Sequence, residues 1–382
     1  MLVYWGLLAV LTINTFLSFW IKEKAFQRLL IALSFIIVFA FAALREGIGV
    51  DYENYLNYYI EYETIGHFHK KMEIGYTFIN YICNATGVGF SGLIIITSFL
   101  TFYPIFLVSF KTYKPLIQYI YFLLYYPMSY ALIRQCIGIS FAILSTYEFL
   151  SHHFLSSEFM FNLGSKTRQA IEWRVSILKC LIYALIACSF HNTLIIYFSV
   201  VIIGVIFLAD TKKTTVLLAC ALALGLMGGP ILNYISRIFA NGQYHRYFAS
   251  GSSSVIFTKR QTNSGLGVIL RYFIYTVSFI LITDLMKKRS RQEKSISNWM
   301  FIAMIGSDVV SLSSEIFLRI KFLFWIVYIL PFFHVERTEK NAKVDLMIQL
   351  SCSTLLVLYE FLFRFRNELF AWKDIPYTSI FH

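Results

Sequence analysis

Residues 44–75 carry a concentration of reactive side chains between two long apolar runs. They include Arg45, the carboxylates Glu46, Asp51, Glu53, Glu61, Glu63 and Glu73, and a tyrosine cluster that contains Tyr52 and Tyr55. A polar loop at the mouth of a greasy segment is a candidate site, because loops and ionisable groups at membrane boundaries commonly carry function. A second segment, 231–265, has the opposite chemistry. It holds Arg237, His245, Arg246, Lys259 and Arg260, and the chain has no Asp or Glu anywhere from Thr211 to Thr283. Cations with no internal carboxylate to neutralise them suit an anion, and the planar arginine fork matches phosphate or pyrophosphate oxygens. Tyr244-His245-Arg246-Tyr247 adds aromatic faces and a hydrogen-bonding ring, which fits a sugar phosphate. The alternative is a solvated basic loop that touches lipid headgroups.

Further polar residues interrupt the apolar runs: Arg134-Gln135, His191-Asn192, Glu315 and Arg319. A charge in hydrocarbon costs on the order of 3 kcal/mol on insertion scales, so such residues line polar cavities or pair with each other. Glu315 and Arg319 are four apart and would share a helix face as an ion pair. His67 with His69, and His152 with His153, have no carboxylate or cysteine at ligand spacing, so they read as surface histidines and no metal is expected. The six cysteines are dispersed, without a CxxC pair, and read as small apolar packing residues.

The elements that must position these groups follow from composition. Of 382 residues, 58% are hydrophobic and 14% charged, with a mean hydropathy of +0.65; soluble domains carry about 25% charge. The chain reads as one all-α integral membrane domain over 1–382, a polytopic bundle of about 12 transmembrane helices. The spans are 2–20, 29–44, 90–110, 116–133, 135–150, 176–190, 193–209, 214–230, 266–284, 299–316, 320–334 and 344–362. No basic residue precedes the first run and no small-x-small site follows it, so it is expected to remain as a span. The net charge of +12 comes from cations scattered over short loops, with no basic helix or zinc pattern to suggest nucleic acid. Basic loops such as Asp210-Thr211-Lys212-Lys213 and Lys287-Lys288-Arg289-Ser290-Arg291 mark the inner side. The two long loops, about 45–89 and 231–265, then share the outer side with Arg134 and His191.

Arg45 with Gly49-x-Asp51-Tyr52-x-x-Tyr55, then Glu73-x-Gly75-Tyr76, Arg134-Gln135, Phe190-His191, the tyrosine-rich segment 244–247, Arg319 and the terminal Pro376-Tyr377 resemble the EpsG family. That family groups with the Wzy-type polymerases of O-antigen, capsule and exopolysaccharide assembly. Met72 departs from the pattern, standing beside Glu73-Ile74-Gly75 where a Glu-Pro-Gly-like turn is expected.

The resemblance implies a GT-C-like membrane glycosyltransferase in the bacterial inner membrane. It would move a growing glycan from undecaprenyl pyrophosphate onto the nonreducing end of a lipid-linked repeat unit at the periplasmic face, without metal or cofactor. Its partners would be undecaprenyl-pyrophosphate-linked oligosaccharides, membrane lipids and a chain-length regulator protein. Pyrophosphate departure needs cations, for which Arg45, Arg134, Arg246 and Arg319 are the candidates. The attacking hydroxyl needs a base, and Asp51, Glu73 and His191 are candidates, Asp51 first for its place in the first outer loop. Tyr52, Tyr55, Tyr244, Tyr247 and Gln135 would hold sugars. An O-antigen ligase-type transferase shares the carrier and the arginine chemistry. A twelve-span lipid-linked oligosaccharide transporter or flippase is the non-enzyme alternative, although its usual internal repeat is not visible.

Overall fold

Long apolar runs form the first helices of the computed structural model, which describes residues 2–21, 23–68, 72–151, 168–208, 273–275, 277–280, 290–311 and 315–333. The helices α1 (Leu2–Trp20), α2 (Lys24–Ala43) and α5 (Gly89–Thr112) are long and apolar enough to cross a bilayer, since a helix rises about 1.5 Å per residue against about 30 Å of hydrocarbon. No strand occurs among the described residues. The protein is therefore an all-α membrane protein, and the described residues account for part of the expected spans.

Contacts divide the chain into two units, Met1–Ile195 with Pro331–His382, and Ile196–Leu330. In the first, α6 (Pro115–Ala131) is the central element: Pro115 opens it with a preset φ, and every one of its residues is buried. Packed on it are α1, α2, α5 and α7 (Ile133–Ser151), and Tyr121 joins Ser140 of α7 through their hydroxyls at 2.7 Å. Next to α7 lies α8 (Arg168–Phe190).

The segment 45–89, expected as a loop, contains two helices, α3 (Tyr52–Ile65) and α4 (Ile74–Thr86). Their polarity conceals a helical period. Tyr55 and Tyr59 form the buried stripe of α3, while Tyr76, Ile79, Asn80 and Cys83 repeat at three- and four-residue spacing on α4. The turn expected around Glu73 is instead a helix start, with Glu73 extended at φ −68°, ψ 142° immediately before α4.

Polar contacts in this unit sort to the two ends that the span alternation predicts. At the end of the basic loops, Lys111 pairs with Glu148, and Arg28 donates to the Tyr113 hydroxyl at 2.8 Å. Glu73, Arg134 and His191 lie at the opposite helix ends.

The second unit begins within α9 (Leu194–Ile206) and includes α10 (Arg291–Ser311) and α11 (Glu315–Phe324), which runs into a 3-10 turn at Trp325–Tyr328. The break expected near residue 318 lies inside α11. Between α10 and α11, Lys321 Nζ meets Asp308 Oδ1 at 2.7 Å, with both side chains almost sealed from the surroundings. Phe279 stacks on Phe301 with ring centroids 3.8 Å apart. The spans expected at 214–230 and 344–362, and most of 266–284, lie outside the described residues.

Candidate functional site

Three helix ends bring together three residues that are far apart in sequence. Glu73 stands before α4, Arg134 in the first turn of α7, and His191 just beyond α8, where its amide donates to Ala187 O at 3.2 Å and its carbonyl accepts from Leu194 at 3.0 Å. The Glu73 carboxylate bridges the other two. Oε2 pairs with the Arg134 guanidinium, and Oε1 lies 3.2 Å from His191 Nδ1. The side chains are 14%, 26% and 19% exposed respectively, so the cluster is part-buried yet open to a ligand.

Gly75 permits this convergence. A Cβ on Gly75 would lie 2.8 Å from Ser189 Oγ and 3.0 Å from the Ser189 carbonyl oxygen, so only a glycine allows α4 to approach the end of α8 this closely. The approach carries Glu73, two residues earlier, to His191. From the other side Arg134 Nη1 donates to Met72 Sδ at 3.4 Å and sits over the Tyr76 ring, 5.7 Å from its centroid. Tyr55 hydrogen-bonds Arg134 through its hydroxyl, and its ring centroid is 5.6 Å from that of Tyr76.

These neighbours set the charge states. Burial raises the Glu73 carboxyl, but the His191 hydrogen bond and the Arg134 charge outweigh it and hold the group below its ordinary value, so it is ionised at neutral pH. An ionised Oε1 accepts a hydrogen bond and has no hydrogen to donate. The 3.2 Å contact is a hydrogen bond when His191 Nδ1 carries the hydrogen, and in that tautomer the ring lone pair is on Nε2. Burial pushes the Tyr55 hydroxyl up, with Arg134 opposing it; the hydroxyl is neutral and its oxygen accepts from Arg134.

The other candidates described in the first unit have contacts of their own. Asp51 precedes α3 and accepts from Asn54 Nδ2 at 3.0 Å. Arg45 is 3% exposed; its Nη1 donates to Ala42 O at 2.6 Å and Ser98 Oγ at 3.2 Å, and its guanidinium covers the Tyr130 ring at 4.5 Å. Gly49, at φ +104°, follows the same surface, since a Cβ there would lie 2.7 Å from Tyr130 O. Arg45 and Gly49 thus fasten the 44–51 connection to α5 and α6. Tyr52 is half-buried, with its ring edge-on to Phe90 at 5.3 Å. Gln135 is buried. Arg319 is exposed on α11 in the second unit. Tyr244, Arg246 and Tyr247 lie outside the described residues, with the rest of segment 231–265, and so does the side chain of Glu315. Met72 and Tyr76 are cluster members that sequence reasoning did not assign to the site, although both flank Glu73 within the motif.

A family model described as the EpsG family matches residues 28–166 and 169–379. No curated protein and no solved structure matches the chain.

Proposed function

The chain is a member of the EpsG family, and we propose that it is a membrane-embedded polysaccharide polymerase in which His191 is the base, Glu73 its orienting partner and Arg134 a ligand of the leaving diphosphate. The donor is a glycan on undecaprenyl pyrophosphate and the acceptor a hydroxyl of a lipid-linked repeat unit, joined at the periplasmic face. The hydroxyl oxygen forms a bond to the donor's anomeric carbon as the bond from that carbon to the diphosphate oxygen breaks. The hydroxyl proton passes to His191 Nε2, and the electron pair departs with undecaprenyl pyrophosphate. Glu73 stabilises the imidazolium so formed, as the carboxylate of a hydrolytic triad does for its histidine. Arg134 shares its donors between Glu73 and the developing negative charge, with Tyr55 steadying the guanidinium.

The observation that carries this reading is the Glu73 bridge: one ionised carboxylate holds both a histidine and an arginine. Asp51, bonded to Asn54 at the head of α3, is better suited to positioning than to proton transfer. Metal independence is part of the proposal, since the residues named can accept the proton and meet the diphosphate charge. The test is the lipid-linked glycan profile of cells that carry His191→Ala, Glu73→Gln, Arg134→Gln or Asp51→Asn, each confirmed in the membrane. The first three collapse the ladder to a single repeat unit and Asp51→Asn retains it. A normal ladder from His191→Ala ends the assignment of the base. A normal ladder from cells that lack the protein ends the polymerase reading.

A further inference from the structure

In a membrane bundle, hydrogen bonds between helices add directional contacts to apolar packing. Two such contacts flank the centre of the first unit. On one side, Asn14 Nδ2 of α1 donates to Ser34 Oγ of α2 at 2.9 Å. On the other, the Tyr121 hydroxyl of α6 meets Ser140 Oγ of α7 at 2.7 Å. Between them, α2, α5 and α6 surround a cavity of about 20 Å³ whose lining includes Ser34, Phe102, Ile105, Gln118 and Tyr121, all of them buried.

The walls are mostly apolar, and apolar walls alone would leave the cavity dry. Three polar groups change that. Gln118 Oε1 is sealed from the surroundings with no hydrogen-bond partner, although a buried amide oxygen normally finds one. Reversing the amide would only put an equally unmet N–H in its place. Ser34 Oγ accepts from Asn14, and among the described residues its own hydrogen goes to no protein atom. Ser140 gives its hydrogen to the Cys136 carbonyl at 2.9 Å, so in the pair with Tyr121 it is the tyrosine that donates. The Tyr121 oxygen therefore keeps a lone pair.

We propose that the cavity holds one ordered water molecule that joins Ser34 to Gln118. Ser34 Oγ donates to the water oxygen, one water hydrogen goes to Gln118 Oε1, and the second is left for the Tyr121 oxygen. A water needs roughly 10–15 Å³ and a buried one commonly makes about three hydrogen bonds, so both the space and the unmet groups suit a single molecule. The water turns two separate contacts into one chain of hydrogen bonds from α1 through α2 and α6 to α7. Gln118 and Tyr121, three residues apart, lie on the same face of α6, so the central helix is tied to its neighbours within one turn. The site is independent of the Glu73 cluster and stands whether or not the proposed reaction is correct.

The test uses the full chain in lipid nanodiscs with isotope-labelled glutamine, and reads magnetisation transfer from water to the side-chain amide protons by solid-state NMR. The Gln118 signal is identified by its loss in Gln118→Met. In wild type that signal receives transfer from a water that exchanges slowly with the bulk, and Ile105→Phe, which fills the cavity, abolishes the transfer. Melting curves give the second readout. Gln118→Met and Ser34→Ala each lower the melting temperature by roughly 2–4 °C, and the double variant loses less than their sum, because both act on one water. A wild-type Gln118 amide with no slowly exchanging water beside it overturns the proposal. So does a Gln118→Met protein that melts above wild type, which marks an acceptor that had no partner to lose.

Discussion

Alanine at position 75 isolates the contact that assembles the Glu73 cluster. Helix propensity favours the change by about 1 kcal/mol, so an isolated α4 gains stability. The packing opposes it. The new Cβ meets Ser189 Oγ at 2.8 Å, Ser189 O at 3.0 Å and Phe190 Cδ2 at 3.1 Å, where ordinary contact begins at 3.4 Å. A serine hydroxyl can rotate aside, but the carbonyl belongs to the backbone of α8, so the two helices must part by roughly half an ångström at a typical overpacking cost of about 1–3 kcal/mol. The net effect on stability is about 0–2 kcal/mol, and the protein stays folded. The effect on the site is larger. The Glu73–His191 bond is already 3.2 Å long, and that separation stretches it past the hydrogen-bonding range. Loss of one charge-assisted bond, about 1.5–3 kcal/mol, translates to about 10- to 100-fold in rate. The assay supplies lipid-linked repeat unit to membrane vesicles, resolves polymer length on gels, and normalises to protein quantified by immunoblot. Gly6→Ala, where a Cβ meets nothing within 4 Å, is the control and keeps wild-type activity. Wild-type rate and length from Gly75→Ala would refute the idea that this approach positions Glu73.

Because Glu73 has its pKa lowered below 4.5 in the folded state, its contribution to stability is complete above its unfolded value and is lost as pH falls through the folded one. Acid melting curves of the purified protein should show that loss, and Glu73→Gln should remove it. Lys321→Met leaves Asp308 in a nearly sealed pocket without its 2.7 Å partner and should destabilise the protein by about 3–5 kcal/mol, whereas Lys321→Met with Asp308→Asn should cost clearly less; thermal melts decide this. Arg45→Lys should not restore what Arg45→Ala loses in protease resistance of the 44–51 connection, because an ammonium cannot reproduce a guanidinium that bonds Ala42 O and Ser98 Oγ while covering Tyr130.

The apolar helices were legible because run length alone separates a bilayer span from other structure: 2–20 and 90–110 are expected within about two residues of α1 and α5. α3 and α4 were not, because charge and tyrosine content read as loop while the three- and four-residue spacing of Tyr52, Tyr55, Tyr59 and Tyr62 went unused. Residue type and placement single out Glu73, Arg134 and His191 one by one, as polar groups at apolar boundaries. Their union was hidden, since a pairing across 61 or 118 residues is a property of helix packing and leaves no local pattern. Asp51 is prominent in the motif, and in the structure it accepts from Asn54 of α3. Lys321 likewise pairs across two helices with Asp308, thirteen residues away.

The span of 118 residues between Glu73 and His191 has a consequence during biosynthesis. At about 5–20 residues per second, roughly 6–24 s separate the synthesis of the two. α1 to α7 can be made and inserted before the carboxylate meets its histidine, and Arg134 is available to it earlier. The ion pair therefore precedes the histidine contact, and the imidazole is added to a carboxylate already oriented. An error in inserting α8 would leave the membrane with a bundle in which Glu73 and Arg134 are in place and His191 is missing. Synthesis order thus makes completion of the cluster a late event, dependent on α8.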